Sequence, residues 1–267
     1  MDYRFLILDI DGTLLTSTNQ LTEATRDKLM LLQKKGYILV LASGRPTASM
    51  LKTAKDLHLD ANESYIISFN GAVITRMSDE KELYNKRLEV SEQKDIIEYL
   101  QKNNLSVIAY DKDSIVVDKE RENSDVEAYL TKLPMRYDAE YIANIDTPQL
   151  KFIGVGKPED VARCDQELQG KFGQHTYATT SLPFFIEFMH KEVNKGTAIE
   201  TLVEHLGYTT ENVVACGDGN NDAAMIEVAG VGVAMGNATD YLKSLADEIT
   251  LSNDEDGLIP IIDKYFP

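Results

Sequence analysis

Two aspartates separated by one residue follow an apolar run near the start of the chain. Asp9 and Asp11 come directly after the almost unbroken apolar residues 3–8, and Gly12 follows. Such a run predicts a strand that is buried on both faces and ends in a turn. The paired carboxylates could act together, one as a nucleophile and the other in proton transfer, with a hard divalent cation between their oxygens. The alternative is an Asx turn, because turns also recruit Asp and Gly.

A second acidic cluster follows another apolar run. Residues 217–222 read Gly-Asp-Gly-Asn-Asn-Asp and come directly after a predicted strand at 212–216, which is apolar from Val213 onward. Asp218 and Asp222 are one helical turn apart and could complete the oxygen-only shell that Mg²⁺ prefers. The segment lacks the third glycine of a dinucleotide fingerprint. A simple glycine turn is the alternative interpretation.

A hydroxyl and an ammonium group could bind a phosphate. Ser43 and Gly44 end an apolar run, and Pro46 then begins a helix, so a hydroxyl and a backbone N–H lie at a helix start that favours anions. Ser43 could equally serve as a helix N-cap. Lys195 precedes another apparent helix, where a lysine is ordinarily a solvated surface cation.

Strands and helices that alternate at both ends of the chain must position these residues. The patterns predict strands at 3–8, 37–42, 64–69, 212–216, 231–235 and 248–251, and helices at 22–36, 222–228, 238–246 and from 256 onward. This alternation is typical of a parallel sheet covered on both faces, with ligands beyond the carboxyl ends of the strands. All the acidic clusters are therefore expected at one edge of the sheet.

The middle of the chain has a different pattern. Residues 82–187 contain longer, alternating strands with helices near 91–103, 121–132 and 158–171. We therefore expect a three-layer, Rossmann-like α/β core with a parallel sheet, built from residues 1–81 and 188–267. An inserted α+β cap domain at 82–187 would be joined to this core by two crossings, as a lid is.

Composition excludes several classes of partner. The 267 residues carry 27 Lys and Arg against 44 Asp and Glu, a net charge of −17. No basic run could form a nucleic-acid surface, and an anionic membrane is disfavoured for the same reason. A bound phosphate would be repelled by the whole chain, so its site must be made locally positive by a metal ion and one cation.

The remaining composition favours the cytoplasm. The two cysteines, Cys164 and Cys216, have no zinc or redox spacing and suit a reducing compartment. The apolar run at the N-terminus is too short for a signal segment or a membrane span. We therefore expect a cytoplasmic protein whose partner is a small molecule. Oligomeric state cannot be predicted from these features.

The ordered motifs resemble a known family. Asp9-x-Asp11-Gly12-Thr13, then Ser43, then Lys195, then residues 217–222 look like the four motifs of the haloacid dehalogenase superfamily. The resemblance covers the whole chain. The insertion between Ser43 and Lys195 is similar to a type-2 cap, and residues 14–15, 43–45 and 69–72 resemble the Cof-type subfamily of phosphatases.

The resemblance implies a Mg²⁺-dependent phosphatase that hydrolyses a small phosphomonoester, such as a sugar phosphate. Asp9 would be the nucleophile that forms an aspartyl-phosphate, and Asp11 would be the acid and base. The metal would be held by Asp9, the backbone carbonyl of Asp11 and Asp218, with support from Asp222. The implied phosphate-binding groups are the backbone N–H of Ile10 and of Gly44 and the side chains of Ser43, Lys195 and Asn221.

Two other functions are compatible with the motifs. A phosphomutase would use the same nucleophile, and a phospho-receiver or metal-binding interaction protein would use similar acids without turnover. A receiver has no use for a cap, and an acid/base beside the nucleophile would remove the acyl phosphate that a receiver must keep. Arg45 and Asn70 are predicted at the edge of the cleft, where they could contact substrate or serve a helix start and a turn.

Overall fold

The computed structural model describes residues 2–267. Its strands, in chain order, are β1 (Phe5–Leu8), β2 (Ile38–Ala42), β3 (Tyr65–Ser68), β4 (Val73–Arg76), β5 (Lys81–Asn85), β6 (Ser106–Asp111), β7 (Ser114–Val117), β8 (Met135–Tyr137), β9 (Lys151–Val155), β10 (Thr176–Leu182), β11 (Phe185–His190), β12 (Val213–Gly217), β13 (Val231–Ala234) and β14 (Glu248–Ile249). Its α-helices are α1 (Glu23–Lys34), α2 (Thr47–Asp56), α3 (Val90–Lys102), α4 (Val126–Thr131), α5 (Ala139–Ala143), α6 (Pro158–Leu168), α7 (Lys195–His205), α8 (Ala223–Val228), α9 (Asp240–Leu245) and α10 (Leu258–Tyr265).

The chain forms two compact units. The first, the core unit, runs to Asn85 and resumes from Val193 to Pro267, and the second, the cap unit, is Lys86–Glu192. The boundaries expected from sequence, at 81/82 and 187/188, each lie a few residues earlier. The reason is that β5 still pairs with β4 in the core sheet, and β11 pairs with β9 as part of the cap sheet.

The core unit is built on an eight-stranded sheet. The strand order is β14-β13-β12-β1-β2-β3-β4-β5, and the strands from β14 to β3 are parallel. Every residue of β1 is fully buried, so both faces of the central strand are covered. Helices α1 and α10 pack together, as do α7 and α8. The expected α/β core with a parallel sheet is therefore confirmed.

The edge of this sheet differs from the expectation. β4 runs antiparallel to β3, and β5 runs antiparallel to β4. A tight turn allows this hairpin, because the Asp79 carboxylate accepts two hydrogen bonds from the Arg76 guanidinium (3.0 and 2.6 Å) and Glu80 has a positive φ of 52°. Two short strands joined by charged residues give little periodicity, so the pattern did not separate this hairpin from the insertion that follows.

Helix α1 begins and ends where its sequence predicts. The Thr22 hydroxyl accepts a hydrogen bond from the backbone N–H of Thr25, which caps the N-terminus. Gly36 has φ 89° just past the C-terminus, a conformation that favours glycine. This helix packs its buried Leu29 and Leu32 into the core.

The cap unit has its own sheet and its own core. The strand order is β10-β11-β9-β6-β7-β8, and all neighbours are antiparallel except β7 and β8. Residues of α3 and α6 pack on one face, where Ile96, Leu100 and Val161 meet Phe152 and Phe188. Among the described residues, no helix combines the length and the apolar character needed to cross a bilayer.

Candidate active site

Asp9 and Asp11 lie just beyond the carboxyl end of β1. The backbone N–H of Asp9 donates to the carbonyl of Cys216 (3.0 Å) and so continues the pairing of β1 with β12. The carbonyl of Asp9 accepts from the backbone N–H of Leu14 (3.2 Å), which closes the loop. Asp9 is buried, whereas the Asp11 side chain is 50% exposed. One carboxylate is enclosed and the other is open to solvent.

Gly12 allows this loop to approach the second acidic cluster. Its φ is 82°, and a Cβ at this position would collide with the Asp218 carboxylate. Next to it, the Thr13 hydroxyl donates to Oδ1 of Asp218 (2.9 Å). Asp218 is thus oriented by the loop that carries Asp9 and Asp11.

Asp222 organises the loop that follows β12. Its Oδ2 accepts hydrogen bonds from the backbone N–H groups of Asp218 and Gly219, both at 2.9 Å. The side chain is almost completely buried. Asp222 therefore folds residues 217–222 into a turn that presents Asp218.

Lys195 is the first residue of α7 and is fully buried. The Asn194 side chain caps this helix by accepting from the backbone N–H of Thr197 (2.9 Å). The Lys195 ammonium donates to Oδ1 of Asp9 (2.5 Å) and to Oδ1 of Asp222 (2.6 Å). Lys195 is thus not a solvated surface cation, and it joins the two acidic loops.

The charges of this cluster do not balance. One ammonium faces three carboxylates, and burial raises the pKa of Asp9 to about 8 even though Lys195 opposes the shift. Burial also raises the pKa of Asp218 to about 6, against the hydrogen bond from Thr13. Burial lowers the pKa of Lys195, but Asp222 and Asp9 raise it more, so this group stays an ammonium. The site is short of positive charge.

The donor atoms of the cluster fit a hard divalent cation. Asp9, Asp218 and Asp222 each offer a carboxylate oxygen, and these oxygens lie within 4.8 Å of one another. An oxygen-only set of this kind matches Mg²⁺. Both oxygens of Asp222 already accept hydrogen bonds from protein donors, which makes Asp9 and Asp218 the more available ligands.

Ser43 is buried at the carboxyl end of β2, beside β1. Its backbone N–H donates to the carbonyl of Ile67 (2.9 Å), and its hydroxyl accepts from the backbone N–H of Arg45 (3.2 Å). Helix α2 begins only at Thr47, after Pro46 at the N-cap position. Ser43 is therefore not a helix cap. Pro46, predicted to lie in the first helical turn, instead lies one residue before the helix.

Two backbone donors remain available at this edge. Within residues 2–267, neither Ile10 nor Gly44 finds an acceptor for its backbone N–H. Each follows the carboxyl end of a central parallel strand, β1 for Ile10 and β2 for Gly44. Unpaired backbone N–H groups at such an edge can donate to an anionic oxygen.

Arg45 contacts the more exposed of the paired aspartates. Its Nε donates to Oδ2 of Asp11 (2.7 Å) and its Nη2 donates to Oδ1 (2.5 Å), a bidentate arrangement. Asn70 lies nearby, where its Oδ1 accepts from Nδ2 of Asn221 at 3.4 Å. All the residues predicted for the site thus lie in the core unit, and their roles stay predictions.

Sequence reasoning missed a residue that holds the loop after β1 in place. Asn237 donates to the carbonyl of Gly12 (2.8 Å), and its Oδ1 accepts from the backbone N–H of Asn253 (3.0 Å). Asn237 follows β13, so a polar residue after a third parallel strand was the available signal. Thr13 belongs to the first sequence motif, but no pattern in the sequence predicts its hydrogen bond to Asp218.

Comparison with known proteins identifies the family. The family of haloacid dehalogenase-like hydrolases matches residues 6–262. YxeH of Bacillus subtilis is 31% identical over 271 residues, with 96% of each chain covered. A 5-amino-6-(5-phospho-D-ribitylamino)uracil phosphatase, YcsE of the same organism, is 30% identical over 263 residues, covering 98% of this chain and 95% of the relative.

A solved structure agrees with this assignment. A haloacid dehalogenase-like hydrolase from Bacteroides thetaiotaomicron shares 35% identity and superposes with a TM-score of 0.91, covering 99% of this chain and 100% of that one. The resemblance inferred from the four ordered motifs is confirmed. This chain belongs to the haloacid dehalogenase-like hydrolases.

Proposed function

We propose that this chain is a Mg²⁺-dependent phosphatase that hydrolyses a small phosphomonoester through an aspartyl-phosphate on Asp9. The observation that carries the proposal is the buried Lys195, which binds Asp9 and Asp222 beside the carboxylate of Asp218. A phosphate dianion needs local positive charge in a chain of net charge −17. Lys195 supplies one such charge, and a divalent cation would supply the rest.

The metal would be held by the carboxylates of Asp9 and Asp218 and by the backbone carbonyl of Asp11. Asp222 would support this set by folding its loop. When bound, Mg²⁺ would neutralise charge on the phosphate oxygens and on the attacking carboxylate. The backbone N–H groups of Ile10 and Gly44 would donate to the same phosphate oxygens, as would three side chains named in the motifs, Ser43, Lys195 and Asn221.

The first step is attack by Asp9. A carboxylate oxygen of Asp9 forms a bond to phosphorus, the ester P–O bond breaks, and the departing oxygen takes a proton from Asp11 to leave as an alcohol. The buried position of Asp9 suits a nucleophile that must be shielded from water. The partly exposed Asp11 suits a group that exchanges protons.

The second step is hydrolysis of the acyl phosphate. The Asp11 carboxylate takes a proton from water, the water oxygen bonds to phosphorus, and the bond from phosphorus to Asp9 breaks. Orthophosphate is released, and the Asp9 carboxylate is restored. Two easier steps replace a direct attack of water on a phosphate dianion.

We further propose that the cap unit, Lys86–Glu192, selects the organic part of the substrate. YcsE carries the name of a phosphatase for a phosphorylated ribitylamino compound. A sugar or polyol phosphate is therefore the first substrate class to test on this chain. A cytoplasmic location stays a prediction, supported by two free cysteines that are both buried.

The test is phosphate release from a panel of esters with and without Mg²⁺. The panel holds sugar and polyol phosphates, 5-amino-6-(5-phospho-D-ribitylamino)uracil, nucleotides, flavin mononucleotide and pyridoxal phosphate. We expect release that requires Mg²⁺ and disappears in Asp9→Asn. Asp247→Asn is the matched control, because Asp247 lies in the same unit and, among residues 2–267, its carboxylate accepts a hydrogen bond only from the backbone N–H of Gly232 (2.8 Å).

Each other outcome points to a different function. Phosphate transfer that requires a bisphosphate and releases no orthophosphate would indicate a mutase. Phosphorylation of Asp9 without turnover would indicate a receiver. Release that persists in Asp9→Asn would contradict the proposed nucleophile.

A further inference from the structure

Three consecutive residues of the core unit have left-handed backbone conformations. They follow β3 and are Phe69 (φ 50°), Asn70 (φ 56°) and Gly71 (φ 108°). Asn and Gly tolerate such angles in turns, but a bulky aromatic residue rarely adopts them. A backbone outlier of this kind is kept where the surrounding structure requires it, and such outliers cluster at functional sites.

The loop Phe69–Gly71 pairs by its backbone with the segment after β2. The N–H of Phe69 donates to the carbonyl of Arg45 (2.9 Å), and the N–H of Asn70 donates to the carbonyl of Ser43 (3.0 Å). The side chain of Asn70 lies against Gly44, because a Cβ built on Gly44 would be 3.0 Å from Oδ1 of Asn70. The loop thus determines where Ser43 and Gly44 lie.

The same loop touches two further segments of the site. Oδ1 of Asn70 accepts from Nδ2 of Asn221 (3.4 Å). Gly71 lies so close to α7 that a Cβ there would collide with the carbonyl of Asn194, the residue before Lys195. A glycine is required at this contact, both for its φ and for its lack of a side chain.

We propose that the loop Phe69–Gly71 is a positioning element of the phosphate site, in which the Asn70 carboxamide holds the Asn221 amide and the Gly44 backbone in place for a bound phosphate dianion. The inference rests on the proposed function. Asn70 is a positioning residue because it acts through Asn221 and Gly44. The strained backbone places one carboxamide between two groups that come from distant parts of the chain.

The test is the binding of orthophosphate in the presence of Mg²⁺, measured by calorimetry on the full chain. Asn70→Gly removes the carboxamide and at the same time relieves the backbone, since glycine adopts positive φ without steric cost. We expect the variant to bind orthophosphate roughly tenfold more weakly, while its thermal midpoint stays equal or rises. A merely structural role would lower both quantities together.

Asn123→Gly is the matched control. Asn123 has φ 65° in the turn before α4 and belongs to the cap unit, so its replacement relieves the same kind of backbone strain in the unit that does not contain the site residues. We expect its orthophosphate affinity to equal that of the wild type. Asn70→Asp is a second variant of nearly equal size, and we expect it to weaken binding at least as much because its charge repels the dianion.

A double variant tests whether Asn70 acts through Asn221. Asn70→Gly combined with Asn221→Ala should lose less affinity than the sum of the two single losses. Strict additivity, or wild-type orthophosphate affinity in Asn70→Gly, would overturn the inference while the wild type still turns over phosphate esters. If the wild type neither turns over any ester nor binds orthophosphate, the proposed function fails and the inference fails with it.

Discussion

At the scale of single residues, the buried charges are the most informative feature. Lys195 and the carboxylates of Asp9 and Asp222 lie almost wholly out of water. Removing such charges from water costs several kcal/mol per ion, and their attraction rarely more than offsets that cost. Hydrophobic residues of similar size would stabilise the folded state as much as these buried ions do. The cluster is therefore better explained by the charge that it offers to a metal and a phosphate.

The bidentate contact between Arg45 and Asp11 leads to a prediction about the leaving group. Arg45 donates to both carboxylate oxygens of Asp11, the residue that protonates the departing oxygen in the proposed mechanism. We expect Arg45→Ala to lower kcat/KM for an alkyl phosphate by roughly tenfold or more, because such an ester needs a general acid. p-Nitrophenyl phosphate leaves without that proton, so its kcat/KM should change by less than about threefold.

Arg76→Ala provides the control for this comparison. Arg76 makes the same forked contact, with Asp79, in the hairpin of the core sheet. Its loss should leave both esters unaffected. Equal losses for the two esters in Arg45→Ala would mean that Arg45 binds the phosphate and does not orient the acid.

At the scale of elements, the turns after the strands determine how the acidic loops meet. Gly12 and Gly36 have similar backbone angles, φ 82° and φ 89°, but only Gly12 lies against another residue, Asp218. We expect Gly36→Ala to cost about 1 kcal/mol in the free energy of unfolding, from backbone strain alone. Gly12→Ala should cost more and should raise the Mg²⁺ concentration for half-maximal activity about tenfold.

Urea unfolding and a Mg²⁺ titration of phosphate release measure the two effects separately. Both glycine substitutions introduce backbone strain, but only Gly12→Ala also displaces Asp218. Comparing the two variants therefore shows the effect of that displacement alone. Equal Mg²⁺ requirements in Gly12→Ala and Gly36→Ala would contradict the assignment of Asp218 as a ligand.

In the cap unit, Glu92 in the first turn of α3 joins this helix to β10. Its carboxylate accepts from the backbone N–H groups of Gln174 (2.7 Å) and His175 (3.0 Å) and from the Thr176 hydroxyl (2.6 Å). Burial raises the pKa of Glu92, but these hydrogen bonds together lower it by more than burial raises it. The pKa of Glu92 is therefore below its ordinary value of 4.5. A lowered pKa in the folded state stabilises the fold above pH 4.5, and that stabilisation is lost as the pH falls through the folded value.

We therefore expect Glu92→Gln to lower the free energy of unfolding by about 1 kcal/mol at neutral pH. The difference from the wild type should shrink as the pH falls below 4.5. Urea titrations across this range measure it. Glu98→Gln is the control, because Glu98 forms an exposed ion pair with Lys102 on the same helix. A difference that stays constant or grows toward acid pH would contradict the role of the carboxylate.

At the scale of the whole molecule, the net charge of −17 should oppose the arrival of an anionic substrate. Salt screens this repulsion, since the Debye length falls from about 30 Å at 0.01 M to about 8 Å at 0.15 M ionic strength. We expect kcat/KM for a dianionic ester, at saturating Mg²⁺, to rise about twofold over this range. A steady fall with added salt would show that local positive charge dominates the approach of the substrate.

The sequence sufficed to predict most of the core and the family of the chain. Asp9, Ser43 and Asp218 follow buried parallel strands, and parallel strands bring their carboxyl ends to one edge, so pattern alone places them together. The family resemblance then suggested a role for each of these residues. The α/β core and the family are confirmed, while the roles of the individual residues stay predictions.

The remaining contacts depend on backbone angles and side-chain directions that no pattern reports. The fork between Arg45 and Asp11 and the contact between Asn70 and Asn221 join residues far apart in the chain. The antiparallel β4 and β5 were missed because two short strands around a charged turn have no clear period. The positive φ of Phe69 could not be expected from its residue type, which disfavours it.

The most direct test of the proposed mechanism is to trap the phosphoryl group on Asp9. In Asp11→Asn, p-nitrophenyl phosphate can still phosphorylate Asp9, because this leaving group needs no proton, but water is no longer activated to remove the phosphoryl group. Acid quench and peptide mapping by mass spectrometry should find one phosphoryl group on the peptide that contains Asp9, in an amount that depends on Mg²⁺. Wild-type turnover without any phosphorylated Asp9 in this variant, or a phosphoryl group on another residue, would contradict the mechanism.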